Sequence, residues 1–313
     1  MKHLNYSRSY TAIHPLSVEL DYLHKTNYLF DLDYLSVTLV EGEKASECLQ
    51  GQLSCDMRAV TDAHMRQGVM CNLKGRIMAI LDVVLMPGQS IALVVPTDLS
   101  ADTQSSLAKS AAFSRVKLHD TSLKVYGLFV QSEEGALPLD MPLPVERYGV
   151  VHNEKGCCYK IDESFYIYIV QPVMADAIRD PFIRKNEYRG SLAWHALQLQ
   201  HQRVEIYPET RAMFLPHRLD MHLSGYINFE KGCYKGQEII ARMHYRSTQK
   251  HKLVSFMVDT EVEPNAGLSV YAEDGETVVG EVIDYCTVDN HRYIISASVL
   301  INYHGQLNMI TPG

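Results

Sequence analysis

Three apolar, β-rich runs follow one another between residues 69 and 96 with only turn signals between them: VMCNL, RIMAILDVVLM and IALVVP. The first two flank the tight turn at Lys74-Gly75, which is too short for a helical crossover, so these strands are expected to form an antiparallel meander. Ahead of them LSVTLVE (35 to 41) alternates like a half-buried strand, and EKASECLQGQ has helical spacing that ends at Gly51. A polar helix is expected from Asp98 to Ala112, with Thr97 as its N-cap. Between about 132 and 160, Gly, Pro and charge mark loops or a subdomain crossing. FYIYIVQ reads as a strand, VMADAIRD and SLAWHALQLQ as helices, and Ser191 stands where it could cap the second. Sheet plus helices gives an α+β core over residues 1 to 250. The remaining residues, 251 to 313, hold only short alternating runs (KLVSFMV, GLSVYAE, TVVGEVIDYC, RYIISASV) divided by PNAG, EDG and DNH, the pattern of a small β-barrel or sandwich.

The chain has 313 residues, 46% of them hydrophobic, which suffices for two or three packed cores. It contains no run of about 18 apolar residues, so no spanning helix is expected. The N-terminus lacks the apolar stretch of a signal peptide, and a cytoplasmic location is the expectation. A formal charge of -8 argues against a surface that grips nucleic acid all over. One basic stretch stands out: Lys231, Lys235, Arg242, Arg246, Lys250 and Lys252 face a single acid, Glu238. Seven cysteines without a CxxC pair read as reduced thiols. Cys157-Cys158 stands in a Lys-Gly turn context, EKGCCYK, and Cys48, Cys55, Cys71 and Cys286 read as small buried hydrophobes. The histidine pairs 217/222, 195/201 and 244/251 lack i, i+4 ligand spacing, so no metal is assigned.

The seventh cysteine lies in KGCYKGQE, residues 231 to 238. Gly232 and Gly236 permit positive φ, and Gln237 starts a helix. Lys231 and Lys235 on either side, together with the helix dipole, favour thiolate, which makes Cys233 a candidate reactive thiol. The other reading is a structural cysteine in a tight turn.

LQGQLSCDM (49 to 57), NLKGRIMAILDV (72 to 83), FLPHRLDM (214 to 221) and GYINFEKGCYKGQE (225 to 238), with IIAR after them, resemble the YgfZ/GcvT-like family in sequence and in order. The resemblance implies the fold of the glycine-cleavage T-protein: two interleaved α+β units, one ferredoxin-like, around a folate site, then a C-terminal β-barrel. It implies tetrahydrofolate or a one-carbon derivative as cofactor, and iron-sulfur enzymes, including those that thiolate tRNA, as partners. Activity would depend on Cys233 within the motif Lys231, Gly232, Tyr234, Lys235, Gly236, Gln237 and Glu238. The folate-contacting positions would be Trp194, Gln200, Tyr34, Leu35 and Arg242; Trp194 fits a stacked ligand or a helix core equally.

Two departures bear on activity. The acidic pair of the T-proteins aligns with Ala79-Ile80, with Asp82 nearby, which argues against aminomethyl transfer. Gln200 replaces a glutamate that can accept two pterin hydrogen bonds, which an amide cannot copy. Three functions follow: a folate-binding accessory protein, a folate-dependent one-carbon transferase that uses Asp82, and an RNA-binding module on the basic stretch. The net charge places the last below the others.

Overall fold

The computed structural model describes residues 1–309. A hairpin, β1 (Lys2–Asn5) and β2 (Arg8–Thr11), opens the chain and is followed by one turn of helix, α1 (Leu16–Glu19). β3 (Tyr28–Asp31) enters one sheet, and β4 (Leu35–Glu41) begins another. The second sheet is completed before the chain returns to the first. It takes in α2 (Ala45–Gln50), β5 (Arg66–Cys71), β6 (Ile77–Leu85), β7 (Ile91–Pro96), α3 (Thr97–Ser114) and β8 (Lys117–Asp120). Its strand order is β5-β6-β7-β4-β8, antiparallel throughout, with the expected meander as one half. The Lys74-Gly75 turn is an Asx turn: Asn72 Oδ1 accepts from the backbone N–H of Lys74 at 2.9 Å and of Arg76 at 3.1 Å.

The chain then adds β9 (Lys124–Phe129), β10 (Val150–Asn153), β11 (Gly156–Asp162), β12 (Phe165–Val170), α4 (Ala175–Arg184), β13 (Tyr188–Arg189) and α5 (Ser191–Gln200). The strand order is β10-β11-β12-β9-β3-β13, and only β13 runs parallel to its neighbour. Because β3 precedes the five-stranded sheet in sequence and β9 follows it, one α+β unit is inserted in the other. After α6 (Gln237–Arg246), the strands β14 (His251–Asp259), β15 (Ser269–Tyr271), β16 (Val278–Asp289) and β17 (Arg292–Leu300) form a sheet of order β14-β17-β16-β15. This sheet is open: among the described residues its edge strands β14 and β15 do not pair, so the expected barrel does not close. Residues 310–313 of the expected C-terminal unit lie outside the described residues. No helix among the described residues is long and apolar enough to cross a membrane.

Three local expectations are corrected. Thr97 is the first residue of α3 rather than its cap: Pro96 holds the cap position, and the Thr97 N–H donates to Tyr34 O at 2.8 Å. Ser191 likewise starts α5 without capping it; its Oγ accepts from Thr11 N at 2.8 Å and donates to Asp33 at 3.0 Å, tying the helix to the N-terminal hairpin. Cys157 and Cys158 lie in β11 and not in a turn. The turn falls at 153–156, where Asn153 Oδ1 accepts from Lys155 and Gly156 N–H; β11 runs between β10 and β12, and its two thiols are buried on opposite faces of the sheet. Cys48, Cys55, Cys71 and Cys286 are buried as well.

Candidate functional site

A cleft opens between the two α+β units, lined from β6 by Ile80 and Asp82, from α5 by Trp194 and Gln198, and from the stretch after it by Arg203 and Glu205. Its volume is about 80 Å³. The two-residue period of β6 puts Ile80 and Asp82 on one face, so the carboxylate looks into the cleft while Ala79 packs in the core behind it. Asp82 accepts from Gln67 Nε2 at 2.8 Å and from the Tyr159 hydroxyl at 2.9 Å. Burial raises its pKa, and the two hydrogen bonds oppose that. Arg203 spans the cleft: its Nε donates to Gln198 Oε1 at 2.7 Å and its Nη2 to Gln67 Oε1 at 3.0 Å. The Gln198 amide nitrogen, by contrast, is buried without a partner. Glu205 accepts from the Tyr34 hydroxyl at 2.9 Å and from Arg8 Nη1 at 3.1 Å. Burial raises this carboxyl too, against the pull of Arg8 and Tyr34. The N-terminal hairpin thus serves the cleft, because it delivers the buried Arg8 guanidinium, which also grips Asp98 at the start of α3.

Of the residues expected from sequence to meet folate, Tyr34, Leu35 and Trp194 line this cleft. Trp194 is also a core residue, 3% exposed, with its ring centroid 5.4 Å from both Phe30 and Phe165. It presses on β9 so closely that a Cβ at Gly127 would stand 2.6 Å from the indole. The other two lie elsewhere. Gln200 is exposed at the end of α5, two residues past Gln198, a step that turns a helical side chain by about 200° to the other side. Arg242 is exposed on α6 and does not line the cleft. The residues that sequence reading missed are Gln67, Gln198, Arg203 and Glu205. The available signal was Arg203-Val204-Glu205, two opposite charges flanking one apolar residue directly behind a helix.

KGCYKGQE forms a clasp with one thiol outside it. Lys231 is 5% exposed, and its ammonium points inward, donating to the carbonyls of Gln50 at 2.8 Å, Leu53 at 2.6 Å and Cys55 at 2.7 Å. Tyr234 is buried with its ring centroid 5.1 Å from that ammonium, and Lys235 N–H bonds Gly51 O at 3.1 Å. Gly236 has φ 84°, and a Cβ there would sit 2.4 Å from Asn72 O, so only glycine fits. Gln237 opens α6 and accepts from Tyr234 N–H at 3.2 Å; Glu238 is exposed in the first turn. Gly232, by contrast, has open space around it and no positive φ. Cys233 is the one exposed cysteine of the seven. The expected pair of flanking lysines is corrected here: Lys231 is committed to three carbonyls, and the charged side chains acting on it are Asp56 and Arg58. Cys233 is also not among the residues lining the cleft.

No family model matches the chain. It is 26% identical over 244 residues to the tRNA-modifying protein YgfZ of Colwellia psychrerythraea strain 34H, covering 75% of this chain and 72% of that one. Against the tRNA-modifying protein YgfZ of Klebsiella pneumoniae strain 342 it is 26% identical over 273 residues, covering 85% and 83%. The chain is similar in sequence to the YgfZ proteins. Its fold is that of the glycine cleavage system aminomethyltransferase T from Bartonella henselae, with a TM-score of 0.73 at 15% identity over 96% of this chain and 86% of that one. The YgfZ likeness therefore rests on sequence, and the aminomethyltransferase likeness on fold alone.

Proposed function

We propose that this chain is a folate-binding accessory protein for tRNA modification, that the central cleft takes a tetrahydrofolate, and that Cys233 engages client iron-sulfur enzymes in the cytoplasm. The observation that carries the folate part is the unpaired Gln198 amide, buried in the same cleft as the Glu205 carboxylate. A pterin edge offers an amide N–H and an amino group to a carboxylate, and a carbonyl to an amide N–H. Glu205 keeps acceptor capacity beyond Tyr34 and Arg8, and Gln198 has an unused NH₂, so the donor set fits. The space is narrower than the ligand: about 80 Å³, against about 150 Å³ for a cavity that takes benzene. Arg203, which bridges the cleft, is the group that would swing aside and meet a carboxylate of the glutamyl tail. Bound tetrahydrofolate would supply a one-carbon carrier; the protein's own part is to hold it and exclude water.

Support for the thiol part is that Cys233 alone among seven cysteines is reachable, and that it stands on a clasp locked by Lys231 and Gly236. The relatives named tRNA-modifying proteins support the process. Two experiments separate the parts. Replacing Gln198 by Leu should weaken tetrahydrofolate binding about tenfold, the worth of roughly one buried hydrogen bond; unchanged affinity removes the cleft from the proposal. In cells lacking this protein, wild type should restore the modified tRNA nucleosides and C233A should not; equal restoration removes the thiol.

A second reading, a folate-dependent one-carbon transferase, is favoured by one observation: Asp82 is a buried carboxylate that faces the cleft. Turnover of an aminomethyl donor that is lost in D82N would establish it.

A further inference from the structure

Behind α6 lies a second and larger cavity, of about 610 Å³, between the end of that helix, the turn Pro216–Leu219 and the segment 247–251 leading into β14. Leu215, Leu223 and Met243 give it apolar walls. His217 and His222 stack there with ring centroids 4.5 Å apart, and His244, on the same wall, stacks on Phe229 at 3.7 Å. His217 is 8% exposed, yet neither of its ring nitrogens has a partner. His222 meets Gln249 Oε1 through Nε2 at 3.0 Å, and its Nδ1 is also buried and unpartnered. Three such atoms in one cavity are costly, about 1–3 kcal/mol each, unless a ligand satisfies them.

The chemistry of the lining narrows the ligand. Burial, then His222 and His244, lowers the His217 pKa to about 4, so at neutral pH its ring offers one N–H and one bare nitrogen. Nucleobase edges carry that pairing of acceptor and donor, and their flat faces stack on imidazole. At the rim stand Lys250 and the hydroxyls of Ser247 and Thr248, the donors a phosphate takes. Arg218 is engaged by Glu281 at 2.6 Å. Among the described residues no three His, Cys, Asp or Glu side chains are grouped to hold a metal ion.

We infer that this cavity binds a nucleoside 5′-monophosphate unit, with its base against His217 and His222 and its phosphate at Lys250, Ser247 and Thr248. The unit is either a free nucleotide or one nucleotide of an RNA chain, and the inference is independent of the folate proposal.

Calorimetry on the full chain with AMP, GMP, CMP and UMP should show one site for at least one of them. The corresponding nucleoside and ribose 5-phosphate should each bind at least about tenfold more weakly, since each lacks one half of the contacts. H217F, which keeps a ring and removes both nitrogens, should lose about tenfold in affinity. A short single-stranded RNA that binds at least about tenfold tighter than the monophosphate, with the gain lost in K250Q, identifies a nucleotide within a chain; equal affinity identifies a free nucleotide. If H217F fails to fold, the ring ¹⁵N signals of His217 and His222 in the native protein decide, and they should shift on saturation. The inference is overturned if neither nucleotides nor RNA bind, if tetrahydrofolate moves those ring signals and nucleotides do not, or if H217F binds as wild type does.

Discussion

Replacing Lys231 by Met tests whether the KGCYKGQE segment is a clasp. Met keeps the length and apolar stem of the side chain but removes the ammonium that serves the carbonyls of Gln50, Leu53 and Cys55 at 2.6 to 2.8 Å. Each carbonyl left buried and unpaired costs about 1–3 kcal/mol, so the gross loss is about 3–9 kcal/mol. Against this stands the relief of not burying a charge. Burial draws Lys231 from 10.5 down to about 8, a difference of 2.5, which corresponds to about 3 kcal/mol. The net destabilisation expected at pH 7 is the difference, about 0–6 kcal/mol with about 3 kcal/mol at its middle, read from urea unfolding followed by circular dichroism. The pH dependence gives a second, signed test. A lysine whose pKa is lower folded than unfolded binds its proton more weakly in the folded state, so between about pH 8 and 10.5 its contribution to stability rises with pH. Wild type should therefore gain on K231M over that window, by up to about 3 kcal/mol. Equal stability of the two proteins at pH 7, together with parallel pH curves, would refute the inward-facing ammonium.

Other consequences are quicker to check. A thiol reagent should label one cysteine in the native protein and all seven after denaturation, and C233A should abolish the native labelling; a second native thiol contradicts the burial pattern. G236A, which puts a Cβ 2.4 Å from Asn72 O at φ 84°, should cost about 1–3 kcal/mol, whereas G232A, in open space, should cost less than about 0.5 kcal/mol. G127A should drive into the indole of Trp194, shifting its emission and lowering the urea midpoint; an unchanged spectrum would place the ring elsewhere.

Much of the fold is legible in the sequence, because alternation and turns are local signals. The meander of β5 to β7, the exact span of β4, α2 ending at Gly51 and the four C-terminal strands all follow from patterns within ten residues. The caps at Thr97 and Ser191 failed for different reasons: Pro96 takes the cap position ahead of Thr97, and the N-terminal hairpin and Asp33 claim the Ser191 hydroxyl that a cap would use. The site is less legible for a tertiary reason. Asp82, Gln67, Gln198, Arg203 and Glu205 come from four stretches of chain, and only pairing of β5 with β6 and packing of α5 bring them together. Lys231 shows the hazard of reading charge from neighbours in sequence. Two residues from Cys233, its ammonium turns inward to cap the loop after α2.

The most direct measurement is a titration of the single tryptophan, Trp194, with tetrahydrofolate, since its indole forms part of the cleft wall and no other tryptophan contributes to the signal. The account predicts a saturable change in emission at one ligand per chain, weakened about tenfold in Q198L. Tetrahydrofolate binding, seen by calorimetry, that leaves Trp194 emission untouched and is indifferent to Q198L would contradict it, as would the absence of any binding.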